Sequence, residues 1–153
     1  ITAICDGCTA LTEVRLPVGM TQLPESFFRN CVNLQSVELP RGMSSIRTGA
    51  FDGCASLKTL VLPVEVYELW DEAFCANHHF HGKDYVDTCG LTDLYILNPL
   101  LTAKTDSYDR DRHPVYYAPF GNPEKVTVHA YAGTAVEALA KEMGYRFVPL
   151  PEQ

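Results

Sequence analysis

The sequence predicts a mainly β solenoid, with parallel strands stacked coil on coil and one C-terminal helix in a capping segment. Three observations predict it. First, the string Cys-x-x-Leu-x-x-(Val/Leu)-x-Leu-Pro occurs at Cys8 to Pro17, Cys31 to Pro40 and Cys54 to Pro63, a spacing of 23 residues. Second, overlaying the three units aligns nine columns, among them Cys5/Phe28/Phe51, Leu16/Leu39/Leu62 and Leu23/Ile46/Leu69, while few positions match elsewhere. A unit this small cannot bury its own apolar face, so each coil must stack on the next. Third, the repeat gives way after residue 103 to irregular chain and then a helical pattern.

Each element follows from its residues. Leu11-x-x-Val14-x-Leu16 ends in the strict alternation of a half-buried strand. Pro17 stops it, because proline has no N–H to give to a ladder. Met20 and Leu23 form a second apolar pair on the return side of the coil. Stacked coils then lie about 4.8 Å apart, and their strands make a parallel sheet along one flank. The coils fall at about 1–23, 24–46, 47–69 and 70–103. The fourth starts with Ala73-Phe74 and then departs: its leucine appears as Leu91, followed by Leu94, Ile96 and Pro99, so that 11 residues are inserted within 76–87. Insertions in solenoids become loops on one face, frequently the binding face.

The capping region is expected at 104–153. Residues 100–124 read as irregular and 125–128 as a last strand. Thr134 and Glu137 have capping-box spacing, and Val136, Leu139, Ala140 and Met143 share one face of a helix at about 135–143. Gly144 supplies the left-handed residue that ends it, and 145–148 returns as an edge strand.

The pattern Ala-Phe-x-x-Cys-x-x-Leu-x-x-Leu-x-Leu-Pro of Ala50, Phe51, Cys54, Leu57, Leu60, Leu62 and Pro63 resembles the BspA-type leucine-rich repeat, including the Gly53-Cys54 pair. The resemblance covers residues 1 to about 75 and again 91–99. It implies a right-handed leucine-rich solenoid of a bacterial cell-surface or secreted protein, with a role in adhesion or interaction and no catalytic residues. Ile1 enters a coil part-way, so the C-terminal piece of a longer solenoid is expected; separately, a monomer is expected.

Composition excludes several functions. With 12 Lys+Arg against 19 Asp+Glu in 153 residues, the formal charge is −7, which argues against nucleic acid and anionic lipid as partners. No apolar run approaches the length of a membrane span, so no membrane insertion is expected. A glycine-flanked serine, a His-Glu-x-x-His and a phosphate-cradling glycine loop are all missing from the sequence, and neither an enzyme nor a cofactor is expected.

The six cysteines divide in two. Cys8, Cys31 and Cys54 share a column and read as a ladder of buried free thiols, with Cys5 also in the core. Cys75 and Cys89 bracket the insertion, with His78, His79 and His81 between them. Cys75, His78, His81 and Cys89 are candidates for zinc; a disulfide closing the insertion, or neither, are the alternatives. Asp106, Asp109 and Asp111 lack the glycine and terminal glutamate of a calcium loop.

Binding residues are sought where side chains point outward. On the strand flank these are Glu13 and Arg15, Ser36 and Glu38, Thr59 and Val61, Asp93 and Tyr95. Arg15, Glu38, Val61, Asp93 and Tyr95 are the candidates there, with Val61 and Tyr95 breaking the polar character. A solvated face without a ligand is the plainer reading. Trp70 lies in a column with Ile1, Pro24 and Arg47, so its ring need not enter the core. With Phe80 and Tyr85 of the insertion it could anchor a partner, or the insertion could fold back and cover it. The expected function is a non-catalytic module that binds extracellular protein or glycan at the bacterial surface; the alternative is an architectural spacer with no ligand.

Overall fold

A computed structural model describes residues 5–74 and 89–152. In chain order its elements are β1 (Glu13–Arg15), β2 (Gln22–Leu23), β3 (Ser36–Glu38), β4 (Ser45–Ile46), β5 (Thr59–Leu62) and β6 (Glu68–Trp70). They continue with β7 (Asp93–Ile96), β8 (Thr102–Lys104), β9 (Thr127–Ala130), α1 (Ala135–Glu142) and β10 (Arg146–Pro149). All named pairings are parallel, as stacked coils require.

One flank carries β1 beside β3 and, further along, the order β5-β7-β9-β10; the other carries β2-β4-β6-β8. The repeat sets the register directly: Glu13 faces Ser36, and Ser45 faces Glu68. The insertion does not disturb it, since Thr59 faces Asp93 and Leu62 faces Ile96. The return side thus forms a sheet of its own, which a sheet on one flank alone did not include. Two- and three-residue strands are too short to leave a period of two in the sequence, so stacking rather than local pattern creates them.

Between the flanks, each of the first three coils turns a corner in which the N–H of Cys8, Cys31 or Cys54 donates to the carbonyl three residues back, at 3.2, 3.1 and 3.2 Å. The third residue of each turn has positive φ: Gly7 73°, Asn30 61° and Gly53 81°. Behind these turns Phe28, Phe51 and Phe74 stack with ring centroids 5.8 Å apart at each step.

The thiol column follows the same geometry. Cys31 Sγ donates to Cys5 O at 2.9 Å and Cys54 Sγ to Phe28 O at 3.2 Å, each thiol reaching the preceding coil. Both are fully buried. Cys8 is exposed, contrary to a buried ladder of three, because no described coil lies on its other side. Cys5 is half-buried against the core.

The capping region continues the first-flank sheet through β9 and β10, with β10 at its edge. The last strand runs at 127–130 rather than 125–128, since Lys125 and Val126 donate back to Asn122 O in a turn and pairing with β7 starts at Thr127. The stretch 100–124 is not wholly irregular either: β8 extends the second sheet. Thr134 caps α1 by accepting from Glu137 N at 3.3 Å, while Glu137 Oε1 accepts from Gly133 N at 2.8 Å.

Candidate interaction surface

Alternation along β5, β7, β9 and β10 sets Leu60, Leu94 and Val128 inward and their neighbours outward. Register then assembles an outward row of Val61, Tyr95, His129 and Val148. Tyr95 and His129 stack with centroids 4.1 Å apart and planes 9° from parallel. Rings stacked across neighbouring strands stand upright on the sheet, so they present edges outward. Val61 at 48% and Val148 at 41% exposure flank the pair.

A polar row lies beside it: Thr59, Asp93, Thr127 and Arg146. His129 Nε2 lies 2.8 Å from Asp93 Oδ1, and Thr92 Oγ1 donates to Asp93 Oδ2 at 3.0 Å. The His129 hydrogen bond, with help from Thr92 and the charge of Arg146, holds the Asp93 carboxyl below the usual carboxylate range against a smaller desolvation cost. Asp93 thus fixes the imidazole against Tyr95. His129, Arg146 and Val148 were not among the sequence candidates, because no repeat string marks β9 or β10; only pairing to β7 reveals them.

The other candidates are not part of this row. Arg15 and Glu38 pair at 3.0 Å on the β1-β3 end of the flank, where both are well exposed and the pair contributes little. Trp70 stands on the opposite flank, so it and Tyr95 do not make one site. Its indole N–H donates to Glu68 Oε1 at 3.2 Å, and the Arg47 guanidinium covers one ring face at 3.9 Å. Lys104 is its register partner on the next strand. Trp70 is half-buried among these neighbours. Cys75, His78, Phe80, His81 and Tyr85, and with them the insertion, its proposed cover of Trp70 and the Cys75–Cys89 link, lie outside the described residues. Cys89 is buried, and its carbonyl accepts from Lys125 Nζ at 3.2 Å.

Two further features complete the surface. Where the first-flank strands end, an open groove of about 940 Å³ is lined by Arg41, Pro63, Val64, Leu97, Pro99 and Tyr131. Asp109, Asp111 and His113 bring ligand atoms within 4.8 Å of one another, all exposed. Asp109 Oδ1 is already taken by the N–H groups of Asp111 and His113, at 2.8 and 2.9 Å, which makes the cluster a self-capped loop.

Parallel coils of fixed register around a leucine and phenylalanine core define a leucine-rich repeat solenoid. The family described as BspA type Leucine rich repeat region matches residues 3–84 in 6 copies, more than half of the chain, and the chain belongs to that family. No curated protein matches the chain. Repeats of this type are typically non-catalytic interaction modules and are generally associated with cell surfaces. Among the described residues no helix is long and apolar enough to cross a membrane.

Proposed function

We propose that this chain is a non-catalytic adhesion module of a bacterial surface or secreted protein, and that it binds an extracellular protein through the outward row Val61–Tyr95–His129–Val148. The observation that carries this reading is the row itself: two exposed aliphatic side chains around an aromatic pair whose geometry Asp93 fixes. Preorganised aromatic groups beside apolar neighbours are what protein interfaces use as anchors. The upright stack also favours protein over glycan. A sugar packs on the open face of an aromatic ring, whereas Tyr95 gives one face to His129 and Trp70 gives one to Arg47. The apolar groove beside Val64 and Pro99 adds surface of the same character.

The test is binding of the chain to a panel of extracellular-matrix proteins and to a glycan array, beside Tyr95→Ala and Trp70→Ala. We expect a matrix-protein ligand whose affinity falls about tenfold or more with Tyr95→Ala, and by little with Trp70→Ala. Glycan binding lost with Trp70→Ala would move the site to the second flank. No binding by any form would favour the spacer reading.

A further inference from the structure

In the second and third coils the corner turn has phenylalanine at its first position and cysteine at its fourth: Phe28 and Cys31, Phe51 and Cys54. In the first described coil both positions carry a thiol, Cys5 and Cys8. We propose that Cys5 and Cys8 are a redox-reactive dithiol, which reacts with low-molecular-weight disulfides and closes to a disulfide across this turn.

Geometry supports the closure. Cys8 N–H donates to Cys5 O at 3.2 Å, with Gly7 at φ 73° in the third position. Such a turn holds its end Cα atoms within about 7 Å, the range a disulfide spans. Burial and then the neighbouring Cys8 push the Cys5 thiol above its ordinary value, as two thiols close across one turn do, which leaves Cys8 the first to react. Access is graded between them: Cys8 is exposed and Cys5 half-buried.

The other described column thiols are set apart by their surroundings. Cys31 and Cys54 are fully buried, and their S–H groups are committed to Cys5 O and Phe28 O. Burial pushes the Cys31 thiol up to about 11 and raises Cys54 further, so neither supplies thiolate at neutral pH.

The chemistry balances in two exchanges. Cys8 thiolate attacks one sulfur of the small disulfide, forming a mixed disulfide and releasing one small thiolate. Cys5, giving up its proton to solvent, attacks Cys8 Sγ, forming the Cys5–Cys8 bond and releasing the second thiolate. The two protein thiols are oxidised and the small disulfide is reduced to two thiols.

Oxidised glutathione is the probe. The native chain is incubated with it, quenched in acid, alkylated and mapped by mass spectrometry, alongside Cys5→Ser and Cys8→Ser. The expected wild-type product is a peptide carrying Cys5 and Cys8, two hydrogens lighter and unalkylated, with Cys31 and Cys54 alkylated only after unfolding. Cys5→Ser should hold glutathione on Cys8 at a level about tenfold or more above wild type, because the intramolecular second step is lost. Cys8→Ser should carry essentially no glutathione on Cys5. Equal retention of glutathione by wild type and Cys5→Ser would overturn the proposal. So would a bond from Cys8 to any cysteine other than Cys5, or a native Cys8 that does not react.

Discussion

Asp71, just past the end of β6, has a buried carboxylate that accepts from Tyr117 N and Ala118 N, each at 2.9 Å. Its own N–H donates to Lys104 O at 2.7 Å, and its carbonyl accepts from Thr48 Oγ1 at 3.1 Å. One residue thus ties the fourth coil to the chain that leads into the cap. Burial pushes its carboxyl up to about 6, outweighing the two backbone donors. Because the folded value lies above the ordinary one, folding takes up a proton between about pH 4 and 6. Stability from this group is therefore fully present below that window and falls by about 3 kcal/mol as pH rises through it. Urea unfolding of wild type and Asp71→Asn from pH 4 to 7 checks this: the wild-type midpoint should fall with rising pH, and the variant should lose most of that slope. Asp93 has the opposite sign, since its lowered carboxyl contributes above the ordinary carboxylate value and is lost as pH falls through its depressed one. Nothing local distinguishes Asp71 from a surface aspartate in the sequence, whereas the buried leucines were legible from spacing alone.

Turns and caps decide the elements. Gly90, just ahead of β7 in the fourth coil, approaches the third coil so closely that a Cβ would sit 2.1 Å from Ala55 O. That contact is with backbone, which cannot rotate away. Gly90→Ala is therefore expected to cost about 3 kcal/mol or more, read as a lowered urea midpoint. Gly53, at φ 81°, should also resist substitution, since a Cβ there would meet Asn30 atoms at 2.5–3.0 Å. In the aromatic stack, Phe51 lies between Phe28 and Phe74 and is fully buried. Phe51→Ala should cost about 3–5 kcal/mol in the same measurement, because the coils on both sides lose packing. Helix α1 was readable almost to the residue, since its capping box and Gly144 act within one turn of chain. The second-flank strands were not, because β2 and β4 have only two residues each and exist through their neighbours.

At the scale of the molecule, the capping region is a continuation of the repeat by other means. β9 lies on β7 as β7 lies on β5, and Tyr145 closes the end by donating to Gly121 O at 2.5 Å and accepting from Phe120 N at 3.1 Å. In a stack where each coil contacts only its neighbours, removing the end leaves the next coil's edge and apolar side open. A chain ending at Lys104 should therefore aggregate or lose its cooperative unfolding transition, checked by size-exclusion chromatography and thermal melts of both lengths. The proposed contact surface depends on the same continuity, since half of its row, His129 and Val148, comes from the cap.

The solenoid, most of its buried columns and the capped helix were legible in the order of residues alone. Each of these is written in a period or a short motif, and a period of 23 residues is a statement about which atoms must be buried together. Folding in three dimensions was needed to reveal that the return side forms a second sheet, that Trp70 and Tyr95 lie on different flanks, and that Tyr95 stacks on His129, which Asp93 holds. Those outcomes depend on register between coils of unequal length. The chain between them can vary freely while backbone hydrogen bonding still fixes which side chains meet.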